Sequence, residues 1–273
     1  MPPTTLRSVA VISVDVLGGF RVAGLGALPG SPSPGADPAG ATLSDGTRRL
    51  IAALAIRTRA ADRGTLAAQL WPGALDGRAA SCLRSALARL GDGGREIVDP
   101  APGGLVLHEA VAVDLRTARA TAARLLEPRR TATDAVDPAD ISPEAVALFS
   151  SDLLPDWFDA WLEPASEEWR HLRVSALEAQ SDALLRCDRL HEAASAARRA
   201  IDVDPLRETA QRCLIAVHLA AGNQSDALRA YGIYRTRLDR EVGLEPTAML
   251  TDLVAGLRPR SVVGATAGAH RRR

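Results

Sequence analysis

Three arginines in the stretch DGRAASCLRSALARL (residues 76–90) have the chemistry to bind phosphate or guanine. Arg78, Arg84 and Arg89 follow Asp76 with no further acidic residue between them. An ordinary solvated helix mixes both signs of charge, because i,i+4 ion pairs stabilise it. A guanidinium group pairs with phosphate oxygens or with the O6 and N7 atoms of guanine. The stretch therefore poses the question of whether its helix binds nucleic acid.

The helix predicted for this stretch has two different faces. Four apolar residues fall within about 100° of one another and predict a stripe facing a core; they are Leu83, Ala86, Leu87 and Leu90. The opposite face is small and hydroxylated at its centre and basic at its shoulders, which suits base edges and phosphates. An Ala-rich helix that only closes a core is the alternative. The predicted DNA-binding residues are Arg78, Ser81, Arg84, Ser85 and Arg89.

The chain has few residues suited to catalysis or to metal binding. All 33 basic residues are arginine, so phosphate loops and Schiff-base enzymes, which need lysine, are excluded. The five histidines are scattered without an HExxH motif, and the three cysteines lack CxxC spacing. The chain is therefore predicted not to be an enzyme and to hold neither a cofactor nor a metal.

Charge is unevenly distributed along a chain that is neutral overall. Residues 150–257 carry 12 arginines and 18 acidic residues, a net charge of −6, whereas residues 1–114 carry 11 arginines and 10 acidic residues. A negative surface repels phosphate, so any DNA contact is expected in the first part of the chain. The last segment, residues 258–273, has five arginines and no acidic residue. It is predicted to be a disordered basic tail that either solvates the chain or touches DNA phosphates.

The elements around the arginine stretch predict a winged helix-turn-helix. Ser44, Asp62 and Asp76 each precede a helical pattern and are suited to cap it. The third of these helices is residues 76–90, and a strand, a Pro/Gly turn and a second strand follow it over residues 96–108. Three helices followed by a hairpin are typical of a fold that places its third helix against DNA.

The second half of the chain is predicted to be almost entirely helical and repetitive. RLHEAASAARRAIDVDP overlays NQSDALRAYGIYRTRLDREVGLEP with Ala193 on Ala227, an offset of 34 residues. Small residues at this period are typical of tetratricopeptide-like helix pairs. The predicted fold is mainly α, with an N-terminal winged helix-turn-helix (α+β) followed by an all-α tetratricopeptide-like helical domain.

Five segments are predicted along the chain. The boundary between the two domains is placed in the loop that follows the helix beginning at Asp114. The segments are residues 1–42 (strands and a Pro/Gly-rich loop of the first domain), 43–113 (winged helix-turn-helix), 114–149 (helix and linker), 150–257 (helical domain) and 258–273 (basic tail).

Several of these motifs together resemble the Streptomyces antibiotic regulatory protein (SARP) family. GTLAAQLWPGALDGRAASCLRSALARL is similar to its OmpR-type winged helix. SSDLLPDWFDAWL, RETAQRCLIAVHLAAGNQSDALRAYGIYRTRL and REVGLEP are similar to the bacterial transcriptional activator domain that follows it. The resemblance covers roughly residues 10–257. Family members often carry Trp before the final Arg-Leu of the recognition helix, where this chain has Ala88, and the turn at residues 99–104 lacks a basic residue.

The resemblance implies a DNA-binding transcriptional regulator, most often an activator, of a secondary-metabolite (antibiotic) gene cluster. It implies partners as well: double-stranded DNA at promoter direct repeats, RNA polymerase, and a second copy of the chain in a homodimer on DNA. The alternative is a helical-repeat interaction module whose winged helix no longer binds DNA, which Ala88 and the neutral turn favour.

The apolar pattern and the cysteines predict where the protein acts. No window approaches the roughly 20 apolar residues of a membrane helix, and unpaired cysteines favour a reducing compartment, so no membrane contact and a cytoplasmic location are expected.

Three tryptophans follow the predicted linker, namely Trp157, Trp161 and Trp169. They are expected to pack between the two domains, with anchoring of a protein partner as the alternative.

Overall fold

The computed structural model describes residues 12–24, 43–91, 96–127 and 136–257. Within them the chain is mainly helical with two small sheets, which confirms the predicted fold class. The Pro/Gly-rich loop, most of the predicted linker loop and the basic tail of residues 258–273 lie outside the described residues.

The chain packs as two units that divide between Gln180 and Ser181. The five segments predicted from the sequence, with a domain boundary in the loop after α4, stay a prediction. The first unit contains, in chain order, β1 (Ser13–Asp15), β2 (Arg21–Ala23), α1 (Asp45–Ile56), α2 (Arg63–Leu70), α3 (Asp76–Ala88), β3 (Val98–Ala101), β4 (Gly104–Leu107), β5 (Ala112–Val113), α4 (Asp114–Leu126), a 3-10 turn (Pro138–Ile141), α5 (Pro143–Leu148) and the first part of α6 (Glu163–Arg186).

The N-terminal hairpin belongs to a three-stranded sheet. β1 pairs antiparallel with β2 and parallel with β5 far along the chain, in the order β2-β1-β5. Asp114 fixes this junction, because its carboxylate accepts backbone N–H groups of Val16 (3.0 Å), Leu17 (2.8 Å) and Leu115 (2.7 Å). The start of α4 is thereby tied to the end of β1.

Two of the three helix caps form as predicted. Ser44 accepts the N–H of Thr47 at the start of α1, and Asp62 accepts the N–H of Thr65 at the start of α2. The third was wrong: α3 begins with Asp76 as its first helical residue, and its cap is Leu75, which has no side-chain acceptor. The helix starts one residue earlier than the sequence pattern indicates because the Leu75 carbonyl already accepts the N–H groups of Arg78 (2.8 Å) and Ala79 (3.0 Å).

The segment after α5 packs back onto the N-terminal sheet. Leu154 donates its N–H to the Val16 carbonyl at 2.9 Å, and Gly18 donates to the Asp152 carbonyl at 2.8 Å. The Trp157 ring lies 5.6 Å from the Phe20 ring, centre to centre. This contact lies within the first unit, and packing of the three tryptophans between two domains stays a prediction.

The second unit is a run of antiparallel helices with its own core. Ala193 and Ala227, which the 34-residue offset superimposes, are both fully buried. The Ser181 hydroxyl donates to the Ala193 carbonyl at 3.0 Å, and the Tyr234 hydroxyl donates to the Leu206 carbonyl at 3.2 Å. Buried alanines at this period fit the predicted repeat, whose tetratricopeptide-like character stays a prediction. The helices are the rest of α6, α7 (Leu190–Val203), α8 (Glu208–Ala220), α9 (Gln224–Val242) and α10 (Ala248–Ala255).

Candidate nucleic-acid interface

The first turn of α1 holds α3 in place. Thr47 is buried, and its hydroxyl donates to the Ala86 carbonyl of α3 at 3.2 Å. Gly46 allows this close approach, since a Cβ there would meet the Trp71 ring at 3.3 Å and the Ala86 methyl at 3.8 Å. A buried hydroxyl needs such a partner to offset the loss of water. The position of α3 is therefore set by a polar contact as well as by apolar packing.

The inward face of α3 agrees with the sequence in three of four positions. Leu83, Ala86 and Leu90 are buried, whereas Leu87 is only half-buried, so its inclusion in the buried stripe was wrong. The reason is geometric. Ala79 supplies the fourth buried position, which centres the stripe on Ala79, Leu83, Ala86 and Leu90 and leaves Leu87 at its edge.

The outward face of α3 presents every residue predicted to contact DNA. Four of them line one open groove of about 370 Å³, while Arg84 lies on the other shoulder of the helix. All five are exposed, and they are Arg78, Ser81, Arg84, Ser85 and Arg89. Their contact with DNA stays a prediction.

Two lining residues of this groove that lie outside α3 were not found by sequence reasoning. Trp71, at the end of α2, and Gly46, in α1, form its other wall. The Leu70-Trp71-Pro72 string marks the end of a helix, but no periodicity indicates that the ring turns toward α3. This placement depends on the crossing of α1, α2 and α3, which is a tertiary property.

The groove has the chemistry of a base-reading and phosphate-binding surface. Ser81 and Ser85 at its centre are short and can donate or accept a hydrogen bond, so a base edge can come close. Arg78 and Arg89 at its ends carry a charge suited to phosphate or guanine. Shape, hydrogen-bonding capacity and charge therefore agree in this groove.

The hairpin of β3 and β4 forms the wing and is not basic. Its turn uses Pro102 and Gly103, the latter at φ +93°, and the following Gly104 packs against Ala61. Asp99 lies 3.9 Å from the His108 ring, and no basic residue occurs in the described turn of residues 99–104. The wing thus offers no fixed cation to a minor groove.

Metal-binding clusters and membrane-spanning helices are both absent from the described residues. Histidine, cysteine and carboxylate side chains nowhere gather there in a group of three that could hold a metal ion. In those same ranges, each helix is either too short or too polar to cross a bilayer.

The family profile of the bacterial transcriptional activator domain matches residues 113–258, more than half of the chain. The chain belongs to this family. The match begins at the β5–α4 junction, where Asp114 ties the start of α4 to the end of β1. Membership of a family of transcriptional activators gives the chain a role in transcription regulation.

One curated relative is the Regulatory protein AfsR of Streptomyces coelicolor. It is 28% identical to this chain over 224 residues, which cover 78% of this chain and 22% of AfsR. The chain thus spans about a fifth of the length of that relative. Together with the activator domain, this similarity confirms the predicted resemblance to SARP-family regulators.

A solved structure shares the fold. The structure titled Mycobacterium tuberculosis EmbR in complex with low affinity phosphopeptide matches with a TM-score of 0.61 at 22% identity. The match covers 90% of this chain and 64% of the EmbR chain. It shows that the two chains share an architecture over most of the present one.

Proposed function

We propose that this protein is a DNA-binding transcriptional activator that reads promoter DNA with the outward face of α3. In this proposal, Ser81 and Ser85 approach base edges, and Arg78, Arg84 and Arg89 bind phosphates or guanine. The observation that carries it is the groove on α3, whose centre is small and hydroxylated and whose ends are basic. The third helix of a winged helix-turn-helix is also the element that docks in a major groove.

The partners follow from the same proposal. The chain binds double-stranded DNA at direct repeats as a homodimer, and its acidic helical domain recruits RNA polymerase. Residues 150–257 carry a net charge of −6, so this part is suited to protein contacts rather than to phosphate. The regulated genes form a secondary-metabolite cluster, and the protein acts in the cytoplasm. In this proposal the DNA-binding domain is residues 43–113 and the acidic helical domain is residues 150–257.

A salt titration of a double arginine variant tests the DNA contact. We expect Arg84→Ala with Arg89→Ala to weaken binding to all DNA sequences and to lower the slope of log K against log salt. Removing one arginine–phosphate pair lowers that slope by about 0.9, because fewer counterions are released on binding. The measurement is a gel-shift or anisotropy titration on promoters of the chain's own and neighbouring genes, at several salt concentrations.

A matched control separates contact from general charge. Arg198 and Arg199 are exposed neighbours on α7, and their double alanine variant removes the same charge from the acidic part. It should leave the affinity and the slope unchanged. An unaltered slope in the α3 variant would show that these arginines do not contact phosphate. If the wild-type protein bound no promoter better than unrelated DNA, the alternative of an interaction module with a non-binding winged helix would replace the proposal.

A further inference from the structure

A second cavity lies beside the α3 groove, in the first unit. It has a volume of about 540 Å³ and opens between the first turn of α1 and the segment that follows α5. Three aromatic rings line it, those of Trp71, Trp157 and Phe158. Its size is in the range of sites that hold small molecules, and so is large enough for a side chain of a partner.

The wall of this cavity already holds a guanidinium group. The Arg48 guanidinium carbon lies 5.8 Å from the centre of the Trp157 ring and 5.5 Å from that of the Phe20 ring. These distances are those of cation–π contacts, in which a cation is attracted to the electron-rich face of a ring. The aromatic surface at this place is therefore chemically suited to arginine.

The cavity is lined by one more carboxylate than guanidinium groups. Arg49 pairs with Asp159 at 3.1 Å, and Arg48 lies 4.0 Å from Asp45. Asp156 also lines the cavity, and it forms no ion pair with any residue in the described ranges. The formal sum over these five groups is −1, which repels phosphate and attracts a cation.

Phe158 is the most exposed large apolar side chain at this site. It is 94% exposed and lies close to Asp156 in sequence, at the cavity wall. An exposed aromatic ring in a soluble domain is typical of a contact surface, because aromatic residues and arginine dominate the energy of protein interfaces. A free ion would cover little of this ring, whereas a polypeptide that carries the cation would also cover the rest.

We propose that this cavity is a docking site for an arginine side chain in a basic segment of a protein partner. The guanidinium group stacks on Phe158 and pairs with Asp156, and the backbone of the partner covers the outer face of the ring. Trp71 and Gly46 line both this cavity and the α3 groove. A docked partner would therefore sit beside α3, and this docking does not require that α3 bind DNA.

Fluorescence anisotropy with a labelled peptide of alternating arginine and glycine tests the proposal on the full-length protein. A peptide in which citrulline replaces arginine has the same shape without the charge and should bind much more weakly. Phe158→Ala and Asp156→Asn should each weaken binding of the arginine peptide about three- to tenfold, the effect of removing a cation–π contact or an ion pair. Both residues are exposed, so both variants should keep the wild-type melting curve.

Matched controls lie in the second unit. Asp252→Asn and Met249→Ala remove an exposed charge and an exposed apolar side chain there, and should leave the affinity unchanged. Equal reductions of affinity in the control and cavity variants, or wild-type affinity in both cavity variants, would overturn the proposal. Arginine amide should compete only at far higher concentration than the peptide. Equal potency would overturn docking of a polypeptide in favour of a small cationic ligand.

Discussion

At the scale of single residues, the centre and the edges of the α3 face are suited to different parts of a DNA duplex. Ser85 lies in the middle of the groove, where a base edge would approach, and Arg89 lies at its end. Contacts at the centre determine sequence preference, and contacts at the edges determine position and general affinity. Substitutions at the two places should therefore have different signatures.

Ser85→Glu should abolish specific DNA binding and leave the fold intact. The carboxylate would place a negative charge against base edges and phosphates, while the exposed position keeps the change in free energy of unfolding within about 0.5 kcal/mol. The measurements are anisotropy on promoter and unrelated DNA, and thermal unfolding.

A glutamate on the inward face of α3 should instead destabilise the fold. Leu83 is buried in the core stripe, so Leu83→Glu should lower the free energy of unfolding by at least about 3 kcal/mol because a carboxylate would be buried without a partner. Equal melting temperatures for the two variants would refute the assignment of the two faces. Leu87 is half-buried and makes a poorer test.

Asp114 is a partly buried carboxyl whose oxygens accept three backbone N–H groups. Burial raises the pKa of this carboxyl above its ordinary value, and the N–H groups of Leu17, Val16 and Leu115 oppose that rise. The native state therefore binds the proton more readily than the unfolded state does. Protonation of the Asp114 carboxyl therefore stabilises the native state most at pH values below the ordinary pKa. This stabilisation declines as the pH rises from the ordinary pKa to the raised pKa.

Asp114→Asn should destabilise the first unit at neutral pH by about 1–3 kcal/mol. The single amide oxygen of Asn cannot replace both carboxylate oxygens, and its NH2 group would face a backbone N–H donor. Urea unfolding at pH 7 and pH 4 measures the effect. The variant should also lose the part of the pH dependence that the carboxyl supplies; wild-type stability at both pH values would contradict this role.

At the scale of elements, the wing depends on one close approach of two backbones. Ala61 and Leu105 exchange two hydrogen bonds, of 2.8 and 2.9 Å, which join the loop before α2 to β4. Gly104 lies beside this bridge, and a Cβ there would be 1.8 Å from the Ala61 carbonyl oxygen. The wing is thus attached to the helices at a place where only glycine fits.

Gly104→Ala should destabilise the winged helix far more than Gly103→Ala. The first creates a backbone clash and should cost at least about 3 kcal/mol, whereas the second meets no atom and costs only the strain of its positive φ, about 1–2 kcal/mol. The measurement is the midpoint of urea unfolding for both variants. Equal destabilisation would show that the approach to Ala61 does not constrain this position.

The elements were largely predictable from the sequence, because caps, turns and periodicity are local. Ser44, Asp62 and the Pro102-Gly103 turn each define an element by short-range chemistry. The parallel pairing of β1 with β5 was not predictable in this way, since its partners are almost a hundred residues apart. The wall formed by Trp71 and the cavity beside Phe158 also arise from tertiary packing, for which no local pattern exists.

At the scale of the whole molecule, the packing units and the charge distribution suggest a division of labour. The first unit extends to Gln180 because residues 152–157 complete the N-terminal sheet through Val16, Gly18 and Phe20. A fragment that ends at residue 126 would lack these partners, whereas one that ends at residue 187 keeps them and the whole of α6. The longer fragment is therefore suited to a test of the second unit.

The fragment of residues 1–187 should bind a single repeat nearly as well as the full chain but bind two adjacent repeats at least about tenfold more weakly. If the second unit joins two copies on DNA, the second contact becomes intramolecular, and its effective concentration raises the affinity without any new DNA contact. Titration of both proteins on one-repeat and two-repeat DNA at fixed salt measures this, beside a reporter assay in which the fragment should not activate. A melting curve of the fragment shows that it is folded.

Equal affinity on two repeats together with equal activation would mean that the second unit neither joins two copies nor recruits polymerase. Equal affinity without activation would assign it to polymerase alone.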